Sequence, residues 1–153
     1  MRISKDQWAM DVALVTAKRS TCVRRQVGCV LLNAKGHVLA TGYNGVASGL
    51  RHCNDVDLYQ ADVTSPNACP GAEAPSGQDL DGCLAIHAEQ NALLQCSDPH
   101  EIHACYVTAS PCVTCTKLLM NTSCQKIFFR DAYSHPQAER MWVNIRGRAW
   151  TNL

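Results

Sequence analysis

The sequence predicts an α/β fold in which a mixed sheet carries helices on its faces. Three observations predict it. The runs "GCVLL" (28–32) and "HVLATG" (37–42) flank the turn-forming "NAKG", which makes an antiparallel hairpin. A strand, a helix and a strand follow one another across 103–129, and two parallel strands need such a crossover. The 153 residues suit one domain, 1–153, whose single core can bury about 68–70% of the foldable surface.

The elements follow in order. Ser4-Lys5-Asp6-Gln7 reads as a capping box opening a helix. Trp8, Val12 and Val15, flanked by Ala9, Ala13 and Ala17, supply that helix with an apolar face. After the hairpin comes an irregular stretch, about 44–82, holding Pro66, Pro70 and Pro75. Structureless loops beyond about 12–15 residues are uncommon in compact domains, so this one needs a cause. The segment "CLAIHAEQNALL" then reads as a core helix running to about Cys96, with Leu84, Ala85, Ile86, Ala88, Ala92, Leu93 and Leu94 as its apolar positions. "HACYVTAS" is a strand, "PCVTCTKLLMN" a helix, "KIFF" a strand and "PQAERMWVNI" a last helix. The closing "RGRAWTNL" allows a short strand whose pairing stays open.

Composition narrows the function. A net charge of +1 with scattered Lys and Arg gives no basic field for a nucleic-acid partner. A small phosphate-bearing ligand needs only one or two arginines and stays open. No signal-peptide core or membrane-length apolar run is seen, so the expectation is a cytoplasmic protein without a membrane partner. In that reducing setting ten cysteines are better read as metal ligands, where clustered, than as disulfides.

Two short motifs carry the chemistry. His87-Ala88-Glu89 opens one helix, and Pro111-Cys112-Val113-Thr114-Cys115 opens another. Taken singly, a buried His is more often a core residue, and a C-x-x-C pair serves redox or structural zinc equally well. Together they are recognised as the H-x-E and P-C-x-x-C signature of zinc-dependent nucleobase deaminases. Cys112 and Cys115, three apart, share a helix face whose N-terminal dipole favours thiolates. With a neutral His87 they make a three-donor zinc site and leave a fourth position for water, the mark of a catalytic zinc. Zinc lowers the pKa of such a water to roughly 7. Glu89, two residues from His87, serves as the proton carrier.

The resemblance extends beyond these motifs. "STCVRRQVGCVLL", "VLATGYNGVASGLRHC", "PSGQDLDGCLAIHAEQNALL", "YVTASPCVTCTKLL" and "IFFRDAYSHP" fall in one order across residues 4–136. In these the chain resembles the deoxycytidylate (dCMP) deaminases of the cytidine deaminase-like superfamily. The resemblance implies a three-layer α/β/α fold around a mixed five-stranded sheet. It implies hydrolytic deamination of dCMP to dUMP, a dTMP precursor, in a homohexamer activated by dCTP and inhibited by dTTP with magnesium. It makes His87, Cys112 and Cys115 the zinc ligands and Glu89 the catalytic residue. It places Asn44 on the deoxyribose, the Ser110 region on the exocyclic amine and Tyr133 over the nucleotide. Arg24 is the first choice for the 5′-phosphate and Arg25 the alternative, since a forked guanidinium suits that group. Gly42, Tyr43, Asn44 and Gly45 ("GYNG") are candidates for the regulatory nucleotide, although Tyr43 and Asn44 could simply form a turn.

The resemblance also implies a second, structural zinc. Cys22, Cys53, Cys69 and Cys83 lie at element ends or in the long stretch, with His52 as a possible replacement for one of them. A closed four-ligand site supplying roughly 10–16 kcal/mol would order an insertion over about 45–83. Cys29, Cys96, Cys105 and Cys124 read as small core residues. Two rival readings remain. If one helix held both Cys83 and His87, four apart, they could close a site with Cys112 and Cys115, making a non-catalytic zinc-stapled module. Related folds also deaminate free nucleosides, guanine, tRNA adenine or single-stranded DNA.

Overall fold

The computed structural model describes residues 1–54, 75, 83–133 and 135–153. Its main sheet has strands β1 (Gly28–Leu32), β2 (Val38–Tyr43), β5 (Ala104–Ala109), β6 (Lys126–Asp131) and β7 (Ala149–Asn152), in the order β2-β1-β5-β6-β7. A two-stranded ladder joins β3 (Gly45–Val46) to β4 (Ala85–Ile86). The helices are α1 (Lys5–Ala17), α2 (Ala88–Gln95), α3 (Val113–Met120) and α4 (Pro136–Val143), with a 3-10 turn at Pro99–Glu101. No helix among the described residues is long and apolar enough to cross a membrane.

The sheet is mixed, as expected. β1 pairs antiparallel with β2 and β5, while β5, β6 and β7 run parallel. β1 and β5 are buried throughout, which suits near-continuous apolar runs at the centre of a two-faced sheet. The strand left open at the end of the chain is β7, with Trp150 opposite Ile127.

Side chains alternate across the strands and split the core in two. On one face Val30, Leu32, Ala104 and Tyr106 pack under Ala9, Met10 and Ala13 of α1. On the other, Cys29, Leu31, Cys105, Val107 and Ile127 pack under Ala88 and Ala92 of α2, Leu119 of α3 and Trp142 of α4. This is the three-layer α/β/α arrangement. Tyr106 stacks on Phe128 at 4.6 Å and donates its hydroxyl to Asp6 at 2.6 Å, fastening α1 to the sheet. Cys29, Cys96, Cys105 and Cys124 are all buried, as small core residues should be.

The buried faces of the first two helices differ from expectation for one physical reason. A Cβ on Gly28 would stand 2.0 Å from the Ala13 carbonyl oxygen and 2.6 Å from the Ala17 nitrogen. The α1 backbone therefore lies against β1, and only small residues fit between them. Ala9, Ala13 and Ala17 are buried, while Trp8 (39% exposed) and Val15 (64%) turn outward. Ser4 caps α1 by accepting from the Gln7 N–H at 3.1 Å, but the Gln7 side chain reaches Asp11 instead of closing a box.

Gly42 does the same for α2. A Cβ there would meet the Ala88 carbonyl oxygen at 2.3 Å and the Ala92 nitrogen at 2.4 Å. Asn91 Nδ2 donates to the Tyr43 carbonyl at 2.8 Å and holds this approach in register. The helix expected from "CLAIHAEQNALL" begins only at Ala88, because Ala85–Ile86 are taken up in β4. It buries Ala88, Glu89 and Ala92, and Leu94 is 76% exposed. Gly42, Tyr43 and Gly45 thus have structural work in helix approach, hydrogen bonding and the β3–β4 ladder.

Gly42→Ala is expected to lower stability by about 1–3 kcal/mol or more, because backbone rather than side chain must move. Gly45→Ala, with nothing within 4 Å of an added Cβ, should stay within about 0.5 kcal/mol. Urea unfolding of the two variants measures this, and equal effects would remove the packing account.

Candidate active site

His87 is the N-cap of α2, in extended backbone (φ −69°, ψ 155°), and its N–H donates to Gln90 Oε1 at 2.9 Å. Cys112 is the N-cap of α3, and its Sγ accepts from the Cys115 N–H at 3.5 Å. The two helix starts meet. His87 Nδ1 lies 3.5 Å from Cys112 Sγ and 3.3 Å from Cys115 Sγ, and one donor atom from each residue falls within 4.8 Å of the others.

These separations fit a tetrahedral zinc. Zn–S bonds of about 2.3 Å and Zn–N bonds of about 2.1 Å imply N···S edges of about 3.6 Å. The charges fit as well. Cys112 is pushed down to about 3, first by the Cys115 side chain and then by His87 against the cost of burial. Cys115 is driven far up by the Cys112 sulfur and by burial. The pair by itself holds one negative charge, and a second thiolate beside it requires a cation between the sulfurs.

Glu89 sits in the first turn of α2 and is 4% exposed. Burial pushes its carboxyl up to about 7, opposed by its own backbone N–H and by His87. Such a group can both take and give a proton near neutral pH.

His87, Cys112 and Glu89 line an open cleft whose walls also carry Arg24, Arg25, Asn44, Ser110 and Tyr133. The structure therefore brings together every residue expected at the reaction centre or on the substrate. Asn44 Oδ1 accepts from the Val27 N–H and its Nδ2 donates to the Arg25 carbonyl, both at 2.8 Å, so it fastens the segment bearing the arginines. Ser110 Oγ accepts from the Tyr133 N–H at 2.6 Å and anchors the loop after β6. Arg24 Nη2 donates to the Pro75 carbonyl at 3.0 Å. Arg25 pairs with Asp131 at 3.2 Å and lies over the Tyr133 ring at 4.9 Å. Sequence reasoning missed Asp131 and His135. His135 lines the cleft and stacks on Tyr133 at 5.1 Å, and its signal was its place two residues on in "YSHP".

Gly42, Tyr43 and Gly45 are not among the cleft-lining residues. Of the four cysteines expected at a second zinc, Cys22 and Cys83 line the cleft, Cys53 is buried and Cys69 lies outside the described residues. Among the described residues, His87, Cys112 and Cys115 form the one group of three donors close enough to share a metal. No disulfide joins the described cysteines. The closed site with Cys83 loses its premise, because α2 starts at Ala88 and does not run through Cys83 and His87.

A family model described as the cytidine and deoxycytidylate deaminase zinc-binding region matches residues 3–130. The chain belongs to this family. It is similar to a deoxycytidylate deaminase of Schizosaccharomyces pombe, 34% identical over 137 residues that make up 87% of the chain and 39% of that protein. It therefore spans about two fifths of that fungal relative. A deoxycytidylate deaminase of Mycobacterium phage D29 is 33% identical over 129 residues, 81% of the chain and 92% of the phage protein. The dCMP deaminase of cyanophage S-TIM5, solved with dCMP and dUMP, superposes with a TM-score of 0.70 at 23% identity over 99% of this chain and 98% of that one. The fold is thus the cytidine deaminase-like one, and the family's zinc-binding region contains the His-Cys-Cys cluster.

Loss of one donor should abolish tight zinc binding at this cluster and lower the zinc content by one equivalent. Changes behind the ligands already cost about 10–100-fold in affinity, so Cys112→Ala and Cys115→Ala should cost more. Zinc retained after dialysis against a chelator measures this, with Cys96→Ala keeping the parental content. Full retention by Cys115→Ala would remove it from the ligand set.

Proposed function

We propose that the chain is a zinc-dependent dCMP deaminase, a hydrolase converting dCMP and water to dUMP and ammonia. The observation that carries this is the joining, in one cleft, of the His87-Cys112-Cys115 donors and buried Glu89 to a rim bearing Arg24 and Arg25. The names of the fungal and phage relatives support the same substrate. His87, Cys112 and Cys115 would hold the zinc, which supplies Lewis acidity that makes a water nucleophilic near neutral pH. The residues of the chain do the rest. Glu89 takes two protons in turn from the attacking water, passing the first to the ring nitrogen and the second to the leaving amine. Asn44 meets the deoxyribose with its remaining hydrogen-bonding capacity, the Ser110 region receives the exocyclic amine, and Tyr133 covers the nucleotide. A guanidinium from Arg24 or Arg25 meets the 5′-phosphate, which free nucleosides lack.

The wider reading is a single domain over 1–153 with a zinc-clipped insertion about 45–83, held by Cys22, Cys53, Cys69 and Cys83. The enzyme is taken as a cytoplasmic homohexamer supplying dUMP for dTMP synthesis, activated by dCTP and inhibited by dTTP with magnesium. The regulatory nucleotide would sit near the "GYNG" segment (42–45).

Rates on dCMP, deoxycytidine and a cytosine-containing oligonucleotide, each with and without dCTP or dTTP and magnesium, test this directly. dCMP should be preferred, and a preference for deoxycytidine would overturn the substrate. A rate flat against both effectors would dismiss the regulation. Two zincs per chain are expected by metal analysis. Glu89→Gln should keep both and lose about 10²–10⁴-fold in turnover; retained activity would remove Glu89 from proton transfer.

A further inference from the structure

Resting on the deaminase reading above, we propose that Asp131 is a positioning residue: it fixes the Arg25 guanidinium at the cleft rim, and Arg25 so held takes the 5′-phosphate. Sequence reasoning put Arg24 first for this role and did not name Asp131.

Independent contacts meet on Arg25. Its Nη2 donates to Asp131 Oδ2 at 3.2 Å, across 106 positions of chain. Its guanidinium carbon lies 4.9 Å from the Tyr133 ring centroid. Tyr133 is in turn pinned through its backbone, whose N–H donates to Ser110 Oγ and whose carbonyl accepts from that hydroxyl. A long side chain with many rotamers is thus held along one edge by a carboxylate and across one face by a ring. A guanidinium has five N–H donors in a rigid fork, and this ion pair engages one nitrogen. Donors remain for an anion, and less side-chain freedom is lost when it binds.

The neighbouring carboxylate does not cancel the charge. Asp131 also accepts from Arg130, with Nε at 3.1 Å and Nη2 at 2.9 Å. Two guanidiniums around one carboxylate leave the triad cationic. Arg130 first, and then Arg25, hold the Asp131 carboxyl below its ordinary range, so it stays ionised at neutral pH. Arg24 Nη2 donates to the backbone carbonyl of Pro75. Asp131 leaves β6 one strand away from the cysteine ligands' helix, and its backbone carbonyl accepts from the Ser110 N–H at 2.9 Å. The phosphate-facing rim and the amine-facing wall are therefore joined at one residue.

The test is steady-state kinetics of the full zinc-loaded chain on dCMP and deoxycytidine. The variants are Arg24→Gln, Arg25→Gln, Asp131→Asn, Asp131→Glu and the double variant Arg25→Gln/Asp131→Asn. Arg25→Gln should lower the preference for dCMP over deoxycytidine, as a ratio of kcat/KM, by about tenfold or more. Asp131→Asn should lower it by about threefold or more, chiefly through KM for dCMP, and Asp131→Glu should recover part of the loss. The double variant should be no worse than Arg25→Gln, because Asp131 acts through that arginine. The role is overturned if the effects multiply, if Asp131→Asn lowers kcat equally on both substrates, or if Arg24→Gln carries the loss and Arg25→Gln does not. Should Asp131→Asn fail to fold, Arg25→Gln and Asp131→Glu decide the matter alone. A parental chain that prefers deoxycytidine overturns the functional reading itself, whereas a dCMP-preferring chain with an unmoved ratio in Arg25→Gln overturns only this role.

Discussion

Gly42 has no side chain, and that lets α2 lie directly on β2. A methyl group there would occupy the place of the Ala88 carbonyl and the Ala92 nitrogen. His87 and Glu89 flank Ala88, so their positions follow from this contact. β2 is placed by β1, and β1 by β5, the strand that leads through Ser110 and Pro111 to Cys112. Two helix N-termini 25 positions apart in the chain thus converge through backbone packing. Gly28 repeats the device beneath α1 on the other face. The sheet is gripped closely from both sides near the strand ends that bear the site.

That convergence gathers acidic groups in a buried place. Cys112, Cys115 and Glu89 lie within electrostatic reach of one another, and each thiolate or carboxylate disfavours the next. The starts of α2 and α3 offset part of this with their unpaired N–H groups, a contribution of typically 0.3–1 kcal/mol each. This is too little to hold three buried anions. A divalent cation on His87, Cys112 and Cys115 would balance the two sulfurs and act against the burial that pushes the Glu89 carboxyl up. Burial and a nearby cation push its acidity in opposite directions, and the useful value lies between.

Much of this was legible in the sequence, for identifiable reasons. β1 is an unbroken apolar run, "NAKG" is a strong turn and a strand, a helix and a strand span 103–129, so the hairpin and the parallel crossover could be read directly, while the H-x-E and P-C-x-x-C motifs were recognised as a known signature. The start of α2 could not. Ala85 and Ile86 are as apolar as the helix that follows, and only their pairing with Gly45 and Val46 reveals a strand. The face of α1 was misread because the contact with Gly28 is backbone to backbone, and it buries alanines where periodicity favours Trp8 and Val15. Asp131 escaped because nothing local distinguishes a carboxylate ending a strand from any solvated charge. Its meaning comes from Arg25, 106 positions away.

The two ends of the cleft differ in chemistry. Its floor carries the His87 and Cys112 donors beside buried Glu89, and its rim carries Arg24, Arg25 and the ring of Tyr133. A ligand that satisfies both ends must be neutral and hydrogen-bonding at one end and anionic at the other. A nucleoside leaves the rim unanswered, and inorganic phosphate leaves the floor unanswered. On the reading proposed above, a nucleoside monophosphate would meet both requirements with one molecule, its phosphate reaching the Arg25 guanidinium that lies beside Asp131 and over Tyr133.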